Sequence, residues 1–260
     1  MKIIYILIIS FTILNTIDCQ EIKVTPTTDW VEFINVNSVS IQGYDGTDII
    51  INSSGGEKED EEVNTIATGL KLWDQDEFIS DAKAGLKIDQ KNKVLVIKQI
   101  SKNICDNDRE YNIKVPKNMN IKYEHSSWDA DVLSIEDMAG TIEVSSNYNE
   151  VILNNVTGPM AIKTVYGSID AEFLTVSQEG SISLYSVYEH VNVTLPTSTK
   201  SKFNLSTSYG DIYTDFDINV DVEKSKKKGW TGSKLVGDLN GGGVDIIVTA
   251  TYDNVYLRSK

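Results

Sequence analysis

Apolar residues along this chain come in pairs spaced by two, and the pairs recur. Leu133/Ile135, Ile142/Val144, Val151/Leu153, Met160/Ile162 and Ile169/Ala171 follow one another at a nine-residue step. After a four-residue insertion the rhythm resumes at Ile182/Leu184 and Val191/Val193, then at Phe203/Leu205, Ile212/Thr214, Ile246/Val248 and Val255/Leu257. Upstream, Leu86/Ile88, Leu95/Ile97 and Ile113/Val115 keep the same pattern. Spacing by two places both side chains on one face of a strand. The positions between are polar or small (Ser134, Glu143, Ala161, Asp170, Ser183, Asn192) and are expected to face solvent, with Ile152 the exception. Asp131, Gly140, Asn149, Gly158 and Gly167 each precede a pair by two residues, and they read as corners with positive φ. Short strands joined by corners predict an all-β chain: a single-stranded parallel β-helix, or β-solenoid, with a strand about every nine residues.

A second repeat runs over the first. Ser146-Asn-Tyr-Asn-Glu-Val, Thr164-Val-Tyr-Gly-Ser-Ile, Ser186-Val-Tyr-Glu-His-Val, Thr207-Ser-Tyr-Gly-Asp-Ile and Ala250-Thr-Tyr-Asp-Asn-Val are five versions of one turn. Their tyrosines, Tyr148, Tyr166, Tyr188, Tyr209 and Tyr252, are separated by 18, 22, 21 and 43 residues. That is about twice the strand step, so two strands and two corners make one coil. The last interval, double the others, predicts a degenerate copy near Trp230. No helix is expected beyond a short turn within Glu77–Ala84.

The ends are less regular. Lys2 followed by the apolar run Ile3–Leu14 reads as a signal peptide over residues 1–19, with cleavage near Cys19. A lipidated Cys19 is the alternative, which Asp18 counts against because the residue before such a cysteine is normally small and neutral. The expected organisation is one solenoid domain over residues 20–260, irregular over 20–110 and regular over 111–260. Gly55–Glu62 and Lys224–Lys228 read as charged loops, and Asn240-Gly-Gly-Gly as a turn before the last two strands. The irregular N-terminal strands and the final hairpin are the expected caps of the solenoid ends.

Charge narrows the partners. The formal net charge is −14, which repels phosphate backbones and anionic lipid, so nucleic acid is not an expected partner. No stretch after the signal is long and apolar enough to cross a bilayer. Exported placement follows: periplasm, outer-membrane surface or extracellular space. Without Cys19, Cys105 is the one cysteine of the mature chain, so stability is expected from core burial rather than from disulfides.

With Ile41-Gln-Gly-Tyr-Asp-Gly, Tyr111-Asn-Ile-Lys-Val-Pro, the Gly140–Phe173 repeats, Thr207–Phe216 and Leu239-Asn-Gly-Gly-Gly, the stretch from about Asn35 to Arg258 resembles the bacterial putative-adhesin family of exported repeat proteins, the toastrack domains. The resemblance implies a fold like that of single-stranded β-helices and an adhesin-like role. It brings no catalytic residues. The Tyr148-Asn149 and Tyr188-Glu189 corners depart from the Asn-Gly or Gly corners usual in such repeats.

Tyrosines in register at the corners would form a ladder along one edge, and this ladder is the candidate binding site. Exposed rings would offer a strip for a glycan, since aromatic faces stack on sugar C–H surfaces; rings packed on one another would instead close the corners. The expected function is an exported cell-envelope or surface interaction module that binds glycan or an envelope partner. A polysaccharide-active enzyme is the alternative, and a scaffold or stress-response protein without a small ligand is a third reading. An enzyme of this kind needs carboxylates in one groove, whereas two strands per coil put Glu143 and Asp170 on opposite faces. Asp74-Gln-Asp-Glu and Asp106-Asn-Asp-Arg lack calcium-loop spacing. His125 and His190 stand in no metal or triad pattern, and no metal or cofactor is expected. Asn155-Val-Thr and Asn192-Val-Thr are glycosylation sequons only in a secreted eukaryotic context.

Overall fold

The computed structural model of the protein describes residues 20–54, 72–74, 77–79, 85–91, 93–100, 109–229 and 232–260. The expected signal peptide with Cys19, the Gly55–Glu62 loop, Cys105, the Asp106 cluster and Trp230 lie outside them. Among the described residues there is no helix. In chain order the first strands are β1 (Gln20–Val24), β2 (Trp30–Ile34), β3 (Val39–Tyr44), β4 (Ile49–Ser54), β5 (Leu72–Asp74), β6 (Glu77–Ile79), β7 (Leu86–Lys91), β8 (Val94–Gln99) and β9 (Glu110–Pro116). The start of the segment expected to hold a helical turn is thus β6, paired antiparallel with β5.

The middle of the chain follows the apolar pairs. β10 (Asn120–His125), β12 (Ile142–Ser146), β14 (Met160–Thr164) and β16 (Ile182–Ser186) lie in one sheet. β11 (Leu133–Glu136), β13 (Val151–Val156), β15 (Ile169–Phe173) and β17 (Val191–Leu195) lie in another. Successive strands alternate between the sheets, and each pairs in parallel with the strand two places on. Equivalent residues therefore stack: Ile121, Ile142, Met160 and Ile182 in one sheet, and Leu133, Val151, Ile169 and Val191 in the other. All eight are at most 2% exposed and share one core cluster. Burying each aliphatic side chain is worth about 1.5–3 kcal/mol, so repetition of the pair accumulates the driving force that a single coil lacks.

At the N-terminal end, β2 and β3 form the pair of strands below β10 and β11, with β2 parallel to β10 and β3 parallel to β11. The chain then leaves, and β4 with β9 and β7 with β8 add antiparallel pairs beyond them. The other end holds a change of order. β18 (Ser201–Thr207) and β19 (Ile212–Thr214) are followed by β20 (Asn219–Val220), β21 (Lys226–Gly229) and β22 (Gly232–Leu239), and β22 returns antiparallel on β18. The last strands, β23 (Val244–Ala250) and β24 (Val255–Ser259), then enter between earlier ones: β23 pairs with both β16 and β18, β24 with both β17 and β19.

The all-β expectation is met, but an unbroken single-stranded parallel helix is not. The two large sheets are mixed, with antiparallel pairings at the N-terminal end of both and at the C-terminal end of the one that holds β18 and β22, and with the C-terminal strands inserted out of chain order. The expected C-terminal cap is corrected for the same reason: β23 and β24 are interior, and β19 to β22 close that end. Part of the Lys224–Lys228 run is strand β21 rather than a loop, while the Asn240-Gly-Gly-Gly turn stands, with φ of 51°, 84° and 81° at Asn240, Gly241 and Gly242.

Corner glycines follow a different rule from the one expected. Of Asp131, Gly140, Asn149, Gly158 and Gly167, only Gly158 has positive φ, at 84°. At Gly140 and Gly167 the constraint is close approach: a Cβ on Gly167 would overlap the Asn149 carbonyl of the neighbouring corner, and one on Gly140 would overlap that of Met119.

Candidate functional site

The five repeated turns all connect the sheet of β12 to the sheet of β13, so they occupy one edge of the molecule. In four of them the first residue of the motif is a buried hydroxyl: Ser146, Thr164, Ser186 and Thr207. Each accepts the backbone N–H three residues on, at 3.1 Å from Asn149, 3.2 Å from Gly167, 3.3 Å from Glu189 and 2.9 Å from Gly210. Three donate onward to a carbonyl of an adjacent coil: Thr164 to Asn149, Ser186 to Gly167 and Thr207 to Asp253. The hydroxyls thereby satisfy backbone groups that the turn removes from the sheets. In the fifth turn Ala250 holds this place, and Asp253 accepts the Asn254 N–H at 2.6 Å.

Backbone bonds between corners carry the strand spacing through the turns. The N–H of Tyr166 donates to Asn147, that of Tyr188 to Val165, that of Tyr252 to Val187 and that of Tyr209 to Thr251, over 2.8–3.0 Å. With their backbones held in this way, the rings stack. Centroids lie 5.1 Å apart for Tyr148 and Tyr166, 4.8 Å for Tyr166 and Tyr188, 5.0 Å for Tyr188 and Tyr252, and 4.8 Å for Tyr252 and Tyr209, with planes within 12° of parallel.

All five predicted residues are therefore brought together, but their order is not that of the chain. Tyr252 stands between Tyr188 and Tyr209. The long last interval in the sequence is the excursion through β19–β22 and not two periods, so it calls for no extra copy near Trp230, a residue outside those described.

The rings are 41–66% exposed. Tyr166, Tyr188 and Tyr252 have a neighbouring ring on each face, so what they present outward is ring edge and phenol hydroxyl. None of the five hydroxyls has a hydrogen-bond partner among the described residues. In the turn between β10 and β11, Trp128 is 74% exposed, placing another aromatic on the same edge toward the N-terminal coils.

The other candidates separate. Glu143 lies on β12 and Asp170 on β15, in different sheets. The outer face of the β12 sheet carries an open depression of about 550 Å³ over Glu143, Ser145, Ala161 and Ser183. The Lys122 ammonium at its rim is already paired with Glu32 at 2.6 Å and Glu124 at 2.8 Å. Of the two histidines, His125 is buried and stacked on Tyr123, whereas His190 is half-exposed beside Tyr188. His190 meets Glu189 and Asp253 in a group whose ligand atoms all lie within 4.8 Å of one another. Sequence reading missed this group because Asp253 belongs to the inserted C-terminal strands. The signal was present in the motif itself, since Glu189 and Asp253 follow Tyr188 and Tyr252 at the same position.

Residues 120–239 match the family model described as Toastrack DUF4097. Among solved structures, the chain is similar to a putative cell adhesion protein from Clostridium sporogenes ATCC 15579, at 14% identity and a TM-score of 0.46, over 94% of this chain and 100% of that one. It is also similar to a putative adhesin from Bacteroides fragilis NCTC 9343, at 9% identity and a TM-score of 0.31, over 95% and 98% of the two chains. No curated protein matches the chain.

Proposed function

We propose that this chain, which belongs to the toastrack family through residues 120–239, is an exported surface interaction module that holds an extended glycan along its tyrosine edge, an envelope protein being the alternative partner. The observation that supports this reading is the ladder itself: five half-exposed rings at a regular 4.8–5.1 Å, with phenol hydroxyls left unpaired by the protein. A regular row of hydroxyls matches a polymer that repeats its own hydroxyls, and weak contacts along it add up by proximity. Recognition here uses ring edges and hydroxyls. The face-on stacking of sugars expected of an open strip is closed to the three inner rings.

Export belongs to the same reading: it rests on the N-terminal Lys2 and Ile3–Leu14 segment and on the acidic balance of the sequence. Among the described residues no helix is long and apolar enough to cross a membrane. The parallel coils from β10 to β17 are the solenoid part of the chain in this view, and the strands at both ends close them.

A glycan array probed with the protein and with its Tyr166→Ala/Tyr188→Ala variant tests the proposal. Binding by the parent and its loss in a variant with unchanged circular dichroism support the ladder as the site. Binding that persists in a folded variant moves the site elsewhere, and no binding by the parent removes the glycan reading in favour of a protein partner.

A further inference from the structure

Two carboxylates and an imidazole meet where the inserted C-terminal coil joins the ladder. Glu189 and His190 directly follow Tyr188, Asp253 directly follows Tyr252, and the two tyrosines stack at 5.0 Å. One ligand atom from each of Glu189, His190 and Asp253 lies within 4.8 Å of the other two. Glu189 is exposed, and His190 and Asp253 are half-exposed. Nitrogen and carboxylate ligands lie ~2.0–2.2 Å from a bound zinc-type ion, so such an ion would sit between these three groups.

The imidazole is also held from behind. Its Nε2 lies 3.3 Å from Asp170 Oδ2, and the other oxygen of Asp170 accepts from Asn192 Nδ2 at 2.8 Å. Asn192 in turn accepts from Arg258 Nε at 2.9 Å. A carboxylate against one ring nitrogen keeps the proton there and leaves the other with its lone pair, which is the support that metal-binding histidines have. On the other side Tyr256 closes edge-on, with its ring centroid 6.1 Å from that of His190.

We propose that Glu189, His190 and Asp253 form a divalent transition-metal site on the tyrosine edge. One nitrogen and two carboxylate oxygens are a borderline donor set, suited to Zn²⁺ and its first-row neighbours and poorly suited to Ca²⁺, which takes oxygen ligands throughout. The two carboxylate charges, close together in a chain of net charge −14, are neutralised by such an ion. Three protein ligands leave at least one coordination position open toward solvent, beside the exposed ring edges. The site would therefore accept an oxygen from a docked molecule as well as pin the β23–β24 corner to the β16–β17 corner.

The test is calorimetric titration of the untagged, chelator-stripped chain with ZnCl₂ at physiological salt, with CaCl₂ titrated in parallel. One saturable Zn²⁺ site is expected. It should weaken at least tenfold in His190→Ala and in Asp253→Asn, and ten- to a hundredfold in Asp170→Asn, which acts only through His190. Zn²⁺ should also raise the melting temperature of the parent and not of His190→Ala. Glu189→Gln, an exposed change, serves as the variant least able to disturb folding, and it too should weaken binding. The proposal is overturned if Zn²⁺ does not bind, if it binds unchanged in these variants, or if Ca²⁺ binds as tightly.

Discussion

Tyr188 and Tyr252 are far apart in sequence, yet their rings stack with centroids 5.0 Å apart and planes 9° from parallel. The contact exists because β23 and β24 enter the sheets between β16/β17 and β18/β19. The last strands thus complete the ladder from within, and Tyr209, reached earlier by the chain, becomes its end.

That order sets the stability of each rung. An aromatic pair contributes about 0.5–1.5 kcal/mol beyond its buried area. Tyr188 touches two rings, Tyr166 and Tyr252, whereas Tyr209 stacks on Tyr252 alone. Tyr188→Ala should cost ~1–3 kcal/mol in urea unfolding from its two stacks, and Tyr209→Ala about half as much. Equal costs would show that the stacks are not what holds the rungs.

Inside the ladder the hydroxyls should matter as much as the rings. Thr164 is fully buried, accepts the Gly167 N–H and donates to the Asn149 carbonyl. Thr164→Val keeps the shape and leaves both backbone groups without their partner, at about 1–3 kcal/mol for an unsatisfied buried group. The same change at a half-exposed threonine whose hydroxyl makes no hydrogen bond among the described residues, Thr157→Val, should be nearly neutral. A loss at Thr164 no larger than at Thr157 would show that the turn does not need this hydroxyl.

Much of this was legible in the residues and some was not. The i, i+2 pairs named the inward faces of the middle strands, since alternation follows from pleat geometry alone, and the tyrosine motif marked one edge. Three features were hidden. The insertion of β23 and β24 between β16/β17 and β18/β19 is a relation between distant segments that no local period carries. The nearness of Asp253 to His190 follows from that insertion. The buried hydroxyl at the head of the motif was visible as Ser146, Thr164, Ser186 and Thr207, but its role became clear only once the adjacent carbonyls were in place.

Gly167 separates two reasons for a corner glycine. Its φ is not in the left-handed region, so an alanine would suffer no backbone strain, but its Cβ would overlap the Asn149 carbonyl. Backbone cannot move aside as a flexible side chain can. Gly167→Ala should therefore destabilise by about 1–3 kcal/mol, the range for overpacking. Gly241 is the opposite case, with φ of 84° and open space around it. Asn is tolerated in the left-handed region, so Gly241→Asn should be mild where Gly167→Asn is severe. Thermal melts of the pair decide the matter, and similar losses would contradict the distinction.

His125 should make the fold sensitive to acid. It occupies the end of β10, opposite Ser146 in the next strand, at 3% exposure, and its ring lies parallel to Tyr123. Its Nδ1 has no hydrogen-bond partner among the described residues. Burial disfavours the imidazolium and lowers its pKa below the ordinary 6.5, and Asp129 opposes this less strongly. The unfolded chain therefore takes up a proton at a higher pH than the folded one. As pH falls below about 6.5, unfolding is favoured by that uptake, and the loss continues until the folded state is protonated as well. Above that pH both states carry neutral imidazole and the group contributes no slope. Denaturant midpoints measured across the weakly acidic range should fall with pH in the parent and fall less steeply in His125→Leu. Any packing difference in the variant shifts its absolute stability equally at every pH, so the slope isolates the proton. An identical acid slope in the variant would place the sensitivity on another group.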